Sequence, residues 1–278
     1  MGVKIRRLIF PLIKGLSGPI SGTKGILVKK APLPKGPKIY AVTHTNNKED
    51  IAWAMSFADE QAYLFTNGYN ELMHSGDGIA MWLAGVIYVD RYDKANREAS
   101  IKKAERVIKL GGNILLFPEG VWNMSENLLV RKIYHGVYKI AALTNAPVIP
   151  AATMVYDGVL YAVRGKAIYL NKYEKEAGLT FLRNKMASMK WKLMERYGKT
   201  TRSDLLKGKS PEEYWDEFVK SYISTQEIYE TEEEEHAHFL DDDDKAYIEV
   251  QETMEKLRKR YGLFDQRKLQ SCNNCIFR

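Results

Sequence analysis

Cysteine is nearly absent: the 278 residues contain two, Cys272 and Cys275, both among the last seven positions. No disulfide framework holds the core, and a reducing compartment is expected. A membrane span is missing too. None of the chain approaches the roughly 18 uninterrupted apolar residues that a transmembrane helix needs, and the longest candidate, residues 146–156, is a strand's length with Pro147 and Pro150 in it. Acidic residues are missing from positions 1–38, which carry nine cations (Lys4, Arg6, Arg7, Lys14, Lys24, Lys29, Lys30, Lys35 and Lys38). Pro11 and Lys14 interrupt the short apolar start and no small-x-small cleavage site follows it, which argues against secretion. A Gly-x-Ser-x-Gly elbow is lacking, so a serine relay is not expected. Gly111-Gly112 closes a helical pattern instead of opening one and is no nucleotide loop. Neither the cysteine pair, half a zinc site at best, nor any His/Cys/Asp cluster has convincing ligand spacing.

What is present is the balance of a globular protein, 45% hydrophobic and 28% charged, long enough for one α/β domain with an appendage. The net charge of +7 is unevenly spread: residues 225–245 hold ten acids and one base. The basic cluster has neither interleaved aromatics nor a recognisable motif, so no nucleic acid is expected as a partner. At the N-terminus Ile5, Leu8, Ile9, Leu12, Ile13 and Leu16 fall near helical spacing among cations, the composition of an interfacial anchor for anionic lipid. Pro11 speaks against a continuous helix, and a frayed basic arm is the alternative.

Short β-rich runs alternate with helical patterns. Residues 26–29, 39–43, 63–65, 86–90 and 114–117 read as buried strands bounded by Gly, Pro or polar turns. Residues 96–110 read as a helix that Gly111-Gly112 stops. A helix over 133–144 leads to a strand over 148–152, and 160–170 adds a further strand pattern. The fold class expected is α/β, a mostly parallel central sheet flanked by helices, with a helical C-terminal extension. The domains are a basic amphipathic membrane-proximal arm (1–24), an α/β domain (25–173) and the extension (174–278), which includes helical patterns over 211–223 and 246–261 and an exposed acidic segment.

Three polar displays lie at the carboxyl ends of three strands, the edge where open parallel sheets bind ligands. The first is Thr43-His44, followed by Glu49 and Asp50 in the first turn of an amphipathic helix, where a carboxylate can orient the imidazole. The second is residues 85–91 (GVIYVDR), which put Asp90 and Arg91 after a strand. The third is residues 116–120 (LFPEG), where Pro118 and Gly120 force a tight turn that displays Glu119.

These blocks, His-x4-acid, GVIYVDR, Phe-Pro-Glu-Gly and residues 146–150 (APVIP), resemble in order and spacing the four motifs of the phospholipid/glycerol acyltransferase family, typified by 1-acylglycerol-3-phosphate O-acyltransferase. The resemblance covers roughly residues 25–170. It implies His44 as catalytic base, oriented by Glu49 or Asp50, and Arg91, Glu119 and Gly120 as acceptor-binding residues, with the fourth block on the acyl side. It implies a donor substrate, acyl-CoA or acyl carrier protein, and a lysophospholipid acceptor such as 1-acyl-glycerol 3-phosphate, with no cofactor and no metal. With the basic N-terminal arm, it places the protein peripherally at the cytoplasmic face of a membrane.

The sequence departs from the family pattern twice. Spacing favours Glu49 as the partner of His44, and chemical identity favours Asp50. Val121-Trp122-Asn123 stands where the family has Thr-Arg-Ser, which removes a cation; Arg91, with Arg131 or Lys132, is left to hold a phosphate. These departures support a second expectation, a catalytically weak lipid-binding or membrane-scaffold protein that keeps the fold.

Overall fold

The computed structural model describes residues 2–45, 47–66, 81–90, 93–123 and 128–198, together with a few positions between 206 and 217. All but a few positions of the helical pattern over 211–223, the whole pattern over 246–261, the acidic segment, the cysteine pair and Arg91 lie outside the described residues.

Seven strands form one sheet among the described residues: β1 (Lys24–Lys30), β2 (Ile39–Val42), β3 (Ala62–Thr66), β4 (Val86–Tyr88), β5 (Asn113–Leu116), β6 (Val148–Tyr156) and β7 (Val159–Arg164), in the order β1-β7-β6-β2-β5-β3-β4. Every neighbouring pair is parallel except β6 and β7. The mostly parallel sheet is thus as expected, and the exception has a local cause. Asp157 and Gly158 both take positive φ, 49° and 70°, the two-residue turn whose twist matches that of a hairpin. The strand pattern over 160–170 is cut short: β7 ends at Arg164, Ile168 makes a single bridge to Val148, and a 3-10 turn occupies Leu170–Lys172.

Helices with a described range that flank the sheet are α1 (Val3–Ser21), α2 (Asn47–Phe57), α3 (Lys94–Lys109), α4 (Gly136–Thr144) and α5 (Lys175–Tyr197). Alternation along the strands decides which helix covers which face. Ile39 and Ala41 of β2 and Ile114 and Leu116 of β5 pack with α3, α4 and α5, through residues such as Val107, Ile140 and Leu182. Tyr40, Val42 and Leu115 point to the other face and pack with Ala54 and Met55 of α2. With helices on both sides, β2 and β5 are buried along their whole length, as apolar runs in parallel sheets are. The Asp93 carboxylate caps α3 by accepting from the amides of Ala95 and Asn96.

The N-terminal segment is one continuous helix through Pro11, against the expectation of a break. Proline removes the hydrogen bond to the residue four positions back, and both Pro11 and Arg7 are exposed, so water can serve the Arg7 carbonyl. Tertiary contacts supply what propensity lacks. Val3, Arg6 and Phe10 are buried, Arg6 donates from Nη2 to the Trp82 carbonyl at 2.7 Å and lies over the Tyr63 ring, and Lys14 pairs with Asp59 at 2.8 Å. On the opposite side Ile5, Leu8, Leu12 and Leu16 form an exposed apolar ridge, with Leu8 81% and Leu12 68% accessible. Among the described residues no helix is long and apolar enough to cross a membrane.

Candidate active site

The site lies where β2 and β5 end side by side. His44 leaves β2 two residues after its last strand position, and Asp50 sits in the first turns of α2. Asp50 is 1% exposed and each of its oxygens is engaged. Oδ2 is 3.2 Å from His44 Nδ1 and accepts from the Thr45 amide at 2.5 Å, while Oδ1 accepts from the Thr153 hydroxyl at 2.9 Å. Between the two sequence alternatives, the geometry brings Asp50 to the imidazole; the side chain of Glu49 lies outside the described residues. The His-x4-acid spacing is therefore stretched by one residue here.

A carboxylate at Nδ1 fixes the tautomer with its proton on Nδ1 and its lone pair on Nε2. Nε2 has no hydrogen-bond partner among the described residues. The ring is held by aromatics: Phe117 stacks on it with centroids 4.2 Å apart, and Trp122 meets it edge-on at 5.8 Å. The residue that replaces the family's Arg thus packs against the imidazole. The Asn123 amide also donates to the His44 carbonyl at 2.7 Å.

Glu119 departs from its expected display at the strand edge. It is 1% exposed, and its oxygens accept from two main-chain amides, Oε1 from His44 at 3.0 Å and Oε2 from Arg131 at 2.7 Å. The turn is tight, as Pro118 and Gly120 imply, but its carboxylate turns inward because those two amides lack other partners and attract it. Burial pushes the Glu119 carboxyl above the ordinary range; the amides of Arg131 and His44 and the nearby Lys190 ammonium oppose that rise. Gly120 has φ of +70°, a conformation that favours glycine, and a Cβ there would lie 2.8 Å from the ring of the exposed Tyr134 and displace it. Arg131 and Lys132 are exposed.

Sequence reasoning missed three buried polar residues in this cluster: Thr153, Asn123 and Lys190. Thr153 follows the fourth block by three residues and pairs through its amide with the Thr43 hydroxyl at 3.0 Å. Its contact with Asp50 spans 103 positions, and no local pattern announces such a pair. Lys190 of α5 is 4% exposed. It stands on the buried stripe Leu179, Leu182, Met186, Lys190, Leu193, where helical periodicity alone marks it as the one charge in a core-facing series.

Residues 26–154 match the family model Acyltransferase. Curated relatives include 1-acyl-sn-glycerol-3-phosphate acyltransferase BAT2, chloroplastic, of Brassica napus, 28% identical over 127 residues that make up 46% of this chain and 36% of that protein. The Homo sapiens 1-acyl-sn-glycerol-3-phosphate acyltransferase alpha is 30% identical over 89 residues, 31% of each chain. The aligned part thus spans about a third of the length of these relatives. The fold resembles the crystal structure of the 1-acyl-sn-glycerophosphate (LPA) acyltransferase PlsC from Thermotoga maritima, with a TM-score of 0.55 and 14% identity over 71% of this chain and 83% of that one. The ordered motifs and the matched segment together identify residues 26–154 as a domain of the acyltransferase family, similar to those of the 1-acyl-sn-glycerol-3-phosphate acyltransferases.

Proposed function

We propose that the protein is a membrane-associated O-acyltransferase that moves a fatty acyl group from a thioester, acyl-CoA or acyl carrier protein, to a hydroxyl of a lysophospholipid such as 1-acyl-glycerol 3-phosphate. The observation that carries this reading is the His44–Asp50 pair at the carboxyl edge of the sheet, with Nδ1 toward the carboxylate and Nε2 left for a substrate. In this reading His44 Nε2 takes the proton of the acceptor hydroxyl as that oxygen attacks the thioester carbonyl carbon. The tetrahedral intermediate collapses with loss of the C–S bond, and the proton on the imidazolium passes to the departing thiolate. General-base catalysis of this kind contributes about 10²–10⁴ in rate, and Asp50 supports the transient imidazolium. The thioester brings its own leaving group, so the step calls on no cofactor or metal.

The α1 ridge gives the reading its membrane. Four exposed apolar side chains run along a helix that contains the cations Lys4, Arg6, Arg7 and Lys14 and no acid, suited to lie in an anionic interface and bring the site to a lipid acceptor. The cytoplasmic face follows from the scarcity of cysteine and is part of the same proposal. The direct test incubates the purified protein with a labelled acyl thioester and vesicles carrying a panel of lysophospholipids. Labelled diacyl product is expected; lipid binding without turnover would favour the scaffold reading that the Trp122 replacement suggests.

A further inference from the structure

We infer that Thr153, which lies beyond the four sequence blocks, is a positioning residue of the site: its hydroxyl fixes the Asp50 carboxylate so that Oδ2 meets His44 Nδ1. The inference rests on the reading of His44 as the base.

The strand brings the hydroxyl there. β6 pairs with β2 from Val148 to Ala151 and runs on to Tyr156 along β7, so Thr153 stands past the end of β2, where His44 and Asp50 lie. Side chains two apart on a strand share a face. Ala151 packs against the cluster that contains Ile149 and, from α2, Ala54. Thr153 points the same way and meets Asp50, which precedes Ala54 by one helical turn. Thr153 is 1% exposed. A buried hydroxyl is costly unless it is hydrogen-bonded, so its partners show what it is there to do.

Those partners also give the hydroxyl its direction. Thr153 Oγ1 is 2.9 Å from Asp50 Oδ1 and 3.4 Å from both the carbonyl and the hydroxyl of Thr43. A hydroxyl has one proton to donate and a carboxylate oxygen only accepts. The shortest contact is also the charge-assisted one, so the proton of Thr153 points to Asp50. The Thr43 hydroxyl accepts from the Thr153 amide at 3.0 Å, which leaves its own proton for Thr153 Oγ1. Both threonines are buried, and together they tie β6 to the residue just before His44. With Oδ1 held by Thr153 and Oδ2 by the Thr45 amide, the Asp50 carboxylate cannot turn about its Cβ–Cγ bond without breaking a hydrogen bond. Oδ2 therefore stays 3.2 Å from Nδ1. Without the Thr153 hydroxyl one of these two restraints is gone, and the hold on the imidazole tautomer weakens.

The test replaces Thr153 by Val, which keeps the β-branched shape and removes the hydroxyl, and by Ser, which keeps the hydroxyl. Nitrogen-15 NMR of histidine-labelled protein, with His44 assigned through His44→Ala, reads the tautomer without substrate. Steady-state kinetics with a labelled acyl-CoA and vesicles of 1-acyl-glycerol 3-phosphate read kcat and KM. Wild type is expected to keep the neutral His44 ring protonated on Nδ1. In Thr153→Val the two tautomers mix and kcat falls about tenfold or more, with KM for both substrates within a few-fold; Thr153→Ser restores both. In the Asp50→Asn background the same Val substitution costs less than about twofold, because residues that act as one unit are not additive. Thr153→Ala carries the same comparison should the Val variant not fold. A folded variant with the wild-type tautomer and kcat overturns the proposal. So does a loss of kcat as large in the Asp50→Asn background as in wild type. If the tautomer changes but wild type transfers no acyl group, the acyltransferase reading fails and the link from Thr153 through Asp50 to His44 stands.

Discussion

Asp50 faces His44 Nδ1 at 3.2 Å with a carboxylate that the Thr153 hydroxyl and the Thr45 amide hold from two other sides. A carboxylate fixed in this way can orient an imidazole without moving when the ring gains a proton. Asp50→Asn is expected to lower turnover by about 10²–10⁴, because an amide placed at Nδ1 no longer fixes the tautomer. Glu49→Gln should change it by a few-fold at most. Equal losses in the two variants, measured as kcat with the fold verified by circular dichroism, would contradict this assignment.

Glu119 gives a prediction about pH. Burial raises its carboxyl above the ordinary value of 4.5, so between that value and the raised one the folded protein binds a proton that the unfolded chain has released. Stability from this group is therefore greatest at the acid end of the window and falls as pH rises through it. Glu119→Gln does not titrate, so its Tm should gain on wild type as pH is raised from about 4.5 to about 7. Its activity should fall by roughly tenfold, since an amide nitrogen would meet one of the two main-chain donors. Parallel Tm curves for the two proteins would remove Glu119 from the titrating groups of the fold.

The ridge on α1 can be tested without disturbing the face that packs. Val3, Arg6 and Phe10 hold the helix to the domain, whereas Leu8 and Leu12 project away. Leu8→Glu with Leu12→Glu should leave Tm nearly unchanged and weaken binding to anionic vesicles by more than about tenfold, given roughly 1.5–3 kcal/mol for burial of each leucine. Raised salt should weaken binding of the intact protein as well. Equal co-sedimentation of variant and wild type would rule out the ridge as the contact.

Much of this architecture was legible in the sequence because the signals were local. β2 and β5 are apolar runs cut off by polar turns, Gly111-Gly112 ends α3, and three strand ends carry polar residues at one edge of a parallel sheet. Pro11 misled because packing through Arg6 and Phe10, which no local pattern reports, outweighs one lost hydrogen bond. The β6–β7 hairpin had a signal that went unused, Asp157-Gly158 between two apolar runs. In the site, motif spacing points to His44 and leaves its partner open between Glu49 and Asp50; the structure brings Asp50 to the imidazole. The direction of Glu119 was misread: a Pro-Glu-Gly turn indicates a sharp bend and says nothing of two amides waiting inside it. Thr153 reaches Asp50 across 103 residues of chain, and such a contact is written only in the fold.

Arg91 follows β4 in the motif that the family resemblance assigns to the acceptor's phosphate. Arg91→Ala is expected to raise the acceptor KM by about 10- to 150-fold while leaving the thioester KM within a few-fold, as hydrogen bonds to a charged group contribute roughly 1.5–3 kcal/mol. Arg91→Lys should recover part of the loss, because it keeps the charge without the planar fork. Unchanged discrimination between phosphorylated and unphosphorylated acceptors would show that the phosphate is held elsewhere.

The most direct test of the account is single-turnover acyl transfer by wild type and His44→Ala, with the same labelled thioester, the same lysophospholipid vesicles and matched Tm. The account predicts that wild type forms diacyl product and that His44→Ala forms it at least about 10²-fold more slowly, with donor and acceptor still bound. Transfer by the folded His44→Ala variant at a rate near that of wild type would contradict it.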